Sequence, residues 1–129
     1  MPKIQDIANF FLSKEEMTNK KLQKLSYYAV AWNYALRDEN LAEDTAFQAW
    51  RHGPVSPELY DTYRDYGYKD IPKVEGFDSS AFTDGQLDIL EDVYYTYGDQ
   101  TGNALEALTH SELPWKISFQ PDSENRCLS

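Results

Sequence analysis

The chain has 129 residues, enough for one domain that buries roughly two-thirds of its unfolded surface without covalent staples. A single cysteine, Cys127, rules out a disulfide framework within the chain and fits a reducing compartment. The net charge is −10, and residues 45–129 carry fifteen acids against six bases, so nucleic acid is disfavoured as a partner and a basic protein surface is favoured.

No apolar run approaches the ~18 residues that a bilayer span needs, and the first residues lack a secretory h-region. A cytoplasmic protein with no membrane partner is expected. Aromatic residues make up 15 % of the chain, ten of them tyrosines, more than a small core consumes. The tyrosines left outside suit a protein interface.

Ile4, Ile7, Ala8, Phe11 and Leu12 recur at helical spacing and predict a first helix that ends near Ser13-Lys14. Thr18 is the N-cap expected for the longest helix, Asn19 to about Arg37, with Leu22, Leu25, Ala29, Trp32 and Leu36 as its buried stripe. Lys20, Lys21 and Lys24 have the wrong sign for a helix N-terminus and cost some helix stability unless an anion meets them. They read as a solvated face. Asp38-Glu39-Asn40 close the helix, and residues 41–50 partly alternate, which predicts a short strand or hairpin leading into the next stretch.

That stretch is Trp50-Arg51-His52-Gly53-Pro54-Val55-Ser56-Pro57, a sharp corner. Gly53 frees one dihedral pair, Pro54 locks the next, and Ser56-Pro57 reads as an N-cap with proline at the first helical position. Trp50, Val55 and Leu59 anchor the corner to the core, and Leu59, Tyr60, Tyr63 and Tyr66 line one side of the helix that ends at Gly67. Tyr68 to Phe82 reads as a surface loop. Thr83 with Gln86 forms a capping box, followed by the stripe Leu87, Leu90, Val93, Tyr94 and Tyr97 and a stop at Gly98. A fifth helix is expected from about Gly102 to Thr109 under a Thr101 cap. The expected fold is mainly α: a compact single-domain bundle of about five helices, with a short β-hairpin around residues 41–55. The domain takes residues 1–118, Trp115 packs back on it, and 119–129 form a polar tail.

Catalytic sets are incomplete. Arg51-His52-Gly53 spells the core of a histidine-phosphatase signature, but that chemistry needs an α/β sheet, a second histidine and converging arginines, and only three other arginines exist. His52, His110 and Cys127 show no zinc-ligand spacing, and there is no phosphate loop or nucleophile elbow. No metal or cofactor is expected. Lys24, Arg51, His52, Tyr60, Tyr63 and Arg64 flank the corner and combine charge with aromatic area, so they are the candidate protein-binding residues.

Lys21-Leu22-Gln23-Lys24-Leu25 with Tyr27-Tyr28 and Trp32, then Ala49-Trp50 with His52-Gly53-Pro54-Val55 and Pro57-Glu58-Leu59-Tyr60, then Thr109-His110 with Pro114-Trp115, carry a resemblance across roughly residues 4–116. In order and spacing they resemble the Panacea antitoxin domain, the SocA-like, phage-associated family. The resemblance implies a mostly helical domain that neutralises a toxin encoded in the adjacent gene by direct protein binding, with an origin in a prophage or another mobile element. In one branch it implies an adaptor that delivers the toxin to a Clp-type protease. Relatives often carry an additional DNA-binding domain, and none is expected here. The family pattern continues after the tryptophan with Ala-Arg and more helix, whereas this chain has Ile117-Ser118-Phe119. Leu22, Leu25, Trp32, Trp50, Gly53, Pro54 and Trp115 read as fold determinants. Two other functions remain open: an acidic phage inhibitor of a host nucleic-acid-binding protein, for which residues 45–129 supply the charge, and a histidine-phosphatase-like hydrolase.

Overall fold

Every residue from Lys21 to Ala29 is buried, so the second helix is enclosed around its whole circumference and the rest of the chain wraps it. The computed structural model describes residues 2–112. In chain order these form α1 (Ile4–Lys14), α2 (Asn19–Arg37), β1 (Gln48–Trp50), β2 (Gly53–Val55), α3 (Pro57–Tyr63), α4 (Asp84–Tyr97) and α5 (Gly102–Glu112). Two 3-10 turns, Arg64–Tyr66 and Ser79–Ala81, follow α3 and precede α4. The expected mainly α domain with five helices and one small hairpin is what forms. Trp115, the 119–129 tail and Cys127 lie outside the described residues.

Local capping sets most boundaries. Thr18 accepts a hydrogen bond from the Lys21 N–H (3.2 Å), Ser56 from Leu59 (3.3 Å), and Thr83 and Gln86 close a reciprocal capping box. Asp38 ends α2 in the left-handed region, φ 53°, with its N–H donating to the Tyr34 carbonyl. Thr101 caps α5 through the Ala104 N–H, and α5 runs past its expected end at Thr109 to Glu112.

α2 packs on α1, α4, α5 and β2. Its seam with α4 is aromatic: Tyr28 stacks on Tyr97 with centroids 4.1 Å apart, and Trp32 meets the same ring edge-on at 5.7 Å. Leu36 departs from the expected stripe, since it is 69 % exposed and no residue of α2 beyond Asn33 is buried. In the last turn Tyr34 and Leu36 face solvent, while Arg37 lies against Gly85 at the start of α4.

The segment expected as a surface loop is mostly exposed, and two buried residues anchor it as a strap across the end of α1. Ile71 and Met17 form an antiparallel bridge, the Val74 N–H caps the Leu12 carbonyl at 2.9 Å, and Ile71 and Phe82 are buried. Phe77 sits edge-on to Phe10. The strap meets the chain at Met17, just ahead of α2, and the hairpin packs on the first turns of α2 at Gln23 and Lys24.

Candidate functional site

The hairpin is a two-residue turn, Arg51-His52, between strands in register Gln48 with Val55, Ala49 with Pro54 and Trp50 with Gly53. Proline is tolerated at position 54 because two strands leave two edges. Gly53 adopts φ +107°, and a Cβ there would lie 2.9 Å from Thr109 Oγ1 and 3.1 Å from Lys24 Cε. The glycine therefore permits both the turn and the close approach of the hairpin to α2 and α5.

Two α2 side chains hold the corner from beneath. Gln23 Oε1 accepts the Ser56 N–H at 2.9 Å and its Nε2 donates to Asn19 Oδ1 at 3.2 Å, while Lys24 Nζ reaches the Pro54 carbonyl at 3.5 Å. All three are buried. Trp50 and Val55 pack with Tyr60 in a small cluster separate from the main core, the Trp50 and Tyr60 rings edge-to-face at 5.1 Å. Leu59 points the other way, into the core.

Between hairpin, α2 and the end of α3 lies a cavity of about 410 Å³. Asn19, Gln23 and Lys24 line it from α2, Trp50, Val55 and Tyr60 supply apolar wall, and Lys20, His52, Arg64 and Tyr68 also border it. Tyr68 is 98 % exposed.

Of the six candidate residues, Lys24, His52, Tyr60 and Arg64 meet at this cavity, while Arg51 and Tyr63 do not line it. Arg51 is exposed at the hairpin tip. Tyr63 packs against the main core and its hydroxyl accepts from Gln5 Nε2 at 2.7 Å, on the α1 side. The expected one-sided tyrosine stripe is thus divided: a helix of seven residues buries Leu59, half-buries Tyr63 beside it against the main core and turns Tyr60 to the cavity.

The three lysines are not a solvated face. Lys21 and Lys24 are buried and Lys20 is half-buried, and each has its partner. Lys21 Nζ donates to the Gly98 carbonyl (2.6 Å) and pairs with Glu15 (3.2 Å). Lys20 pairs with Glu106 at 2.7 Å, and the second Glu106 oxygen lies 3.1 Å from His52 Nδ1. Burial pushes the Glu106 carboxyl up, but Lys20 and His52 more than offset it and hold its pKa below the ordinary value.

Sequence reasoning overlooked Asn19, Gln23 and Glu106, whose polar types look like ordinary helix surface. The one available signal was Asn19 with Gln23 and Lys20 with Lys24, two polar i, i+4 pairs inside a helix expected to be the spine. Among the described residues the only strands are the two of the hairpin, so Arg51-His52-Gly53 is a ribbon turn running into β2 rather than the end of a strand in a larger sheet. Among the same residues, no group of three or more His, Cys, Asp or Glu is placed to hold a metal ion, and no helix is long and apolar enough to cross a membrane.

Residues 22–116 match the family described as antitoxin SocA-like, Panacea domain. The chain belongs to this Panacea family. The match opens at Leu22, in the first turns of α2, and takes in the hairpin, α3, α4 and α5, so α1 falls ahead of it. Within the Panacea match lie Gln23, Lys24, His52, Tyr60 and Arg64, whereas Asn19 and Lys20 precede it. No curated protein and no solved structure matches the chain.

Proposed function

We propose that this Panacea protein is an antitoxin that neutralises, in the cytoplasm, a protein toxin encoded in the adjacent gene, and that it does so by direct binding through the hairpin–α3 face. The family match over residues 22–116 carries the reading. The geometry supports the choice of face: Lys24, His52, Tyr60 and Arg64 share one concave surface, edged by the nearly fully exposed Tyr68. Tyrosine and arginine are the residue types that dominate interface energetics. The acidic remainder of the chain steers a basic partner toward it without fixing how it docks.

Co-expression tests the reading. The product of the neighbouring frame should arrest growth alone, and this protein should relieve the arrest. Arg64→Ala combined with Tyr68→Ala, both at exposed positions, should leave the melting temperature within a degree or two and weaken rescue. An interface anchor commonly costs at least about 2 kcal/mol on truncation, roughly thirty-fold in affinity. Normal rescue by the folded double variant would place the contact elsewhere. A neighbour with no toxicity and no complex would remove the antitoxin role.

A further inference from the structure

The chain carries 22 acidic and 12 basic residues, yet no aspartate or glutamate is among the residues that line the cavity, while Lys20, Lys24 and Arg64 are. An acidic protein has gathered cations at this concavity. Glu106 accounts for Lys20 and His52, whereas Arg64, exposed at the cavity, makes no ion pair among the described residues. Its planar guanidinium can grip a carboxylate through two parallel N–H donors, and the concave wall strengthens the attraction by excluding water. The Trp50 and Tyr60 rings, packed edge-to-face, give the same cavity an apolar wall.

From this juxtaposition we propose that the cavity takes an aspartate or glutamate side chain of the toxin, flanked in the toxin by an apolar residue that lies on Trp50 and Tyr60. This rests on the antitoxin reading and names the chemistry by which the partner is recognised. A phosphate of nucleic acid would offer the same anion, but a chain of net charge −10 repels a polyanion over the whole approach. A basic toxin with one acidic anchor meets no such barrier. General attraction brings it on, and the anchor in the cationic cavity sets its register.

The test is calorimetric titration of the full chain with the product of the adjacent frame. Arg64→Glu should weaken binding at least about thirty-fold and Arg64→Met less, with circular dichroism and melting unchanged in both. Exchanging the toxin's acidic residues one at a time for arginine should reveal one position that weakens binding to the wild type but restores it to Arg64→Glu. Millimolar inorganic phosphate should shift the affinity no more than sodium chloride of equal ionic strength. A complex that tolerates Arg64→Glu, or that yields no charge exchange, overturns the inference and leaves the antitoxin reading standing. Displacement of the toxin by phosphate also overturns it, because the cavity then serves a free anion. Failure of the wild type to bind the neighbour's product removes both.

Discussion

Gly53→Val is expected to lower stability by about 2–5 kcal/mol, because two independent costs fall on one residue. At φ +107° a β-branched side chain is strained wherever it points, and its Cβ would lie 2.9 Å from Thr109 Oγ1, which is buried. Lys24 Cε at 3.1 Å closes the other side. The hairpin would have to lift from α2 and α5, taking the Lys24 contact to the Pro54 carbonyl with it. For a domain of this size the melting temperature should fall by roughly 10 °C. Gly76→Val is the matched control, since Gly76 has φ +69° but no atom within 4 Å of its built Cβ. Its loss should be confined to the backbone strain, about 1–3 kcal/mol. Equal losses at the two positions would show that close packing at the corner contributes nothing.

Lys21→Met should cost about 2–4 kcal/mol, although a hydrophobic side chain replaces a charge at a buried site. The Lys21 ammonium donates to the Gly98 carbonyl at 2.6 Å, immediately after α4, where helix carbonyls lack partners along the chain. It also pairs with Glu15, which accepts the Tyr94 hydroxyl at 2.7 Å. Burial and then the Glu15 carboxylate push the Tyr94 pKa up to about 12. Methionine would remove the donor and leave the carbonyl and a carboxylate short of a partner. Glu15→Gln should cost less, because the Gly98 bond survives it. Urea denaturation of both variants measures the difference, and a Lys21→Met loss below that of Glu15→Gln would contradict the assignment.

What could be read from the chain alone follows the range of the interactions involved. Thr18, Ser56, Thr83 and Thr101 each cap the backbone N–H three residues on, so the starts of α2, α3, α4 and α5 are local facts. The hairpin was equally legible, because its turn and its glycine are adjacent. The lysines of α2 were not. Whether Lys21 is solvated depends on Gly98, 77 residues away, and whether Lys20 is paired depends on Glu106. Leu36 fits the helical period as well as Leu25 does, yet one is exposed and the other fully buried, a difference set by tertiary packing rather than by the period. The anchors of the surface loop 68–82 were hidden for a similar reason, since Ile71 and Val74 find Met17 and Leu12 only in three dimensions. At the site, a helical stripe suggested that Tyr60 and Tyr63 act together. The offset of about 60° between positions i and i+3 on a seven-residue helix separates them, one to the cavity and one to Gln5.

Hydrogen–deuterium exchange of the protein alone and in its complex with the product of the adjacent frame tests the docking face most directly. The account predicts added protection of residues 50–68, the hairpin turn through Tyr68, and of the side of α2 that begins at Asn19, with α1 and the 71–82 strap unchanged. Added protection on α1 or the strap, with the hairpin and α3 exchanging as they do in the free protein, would contradict it.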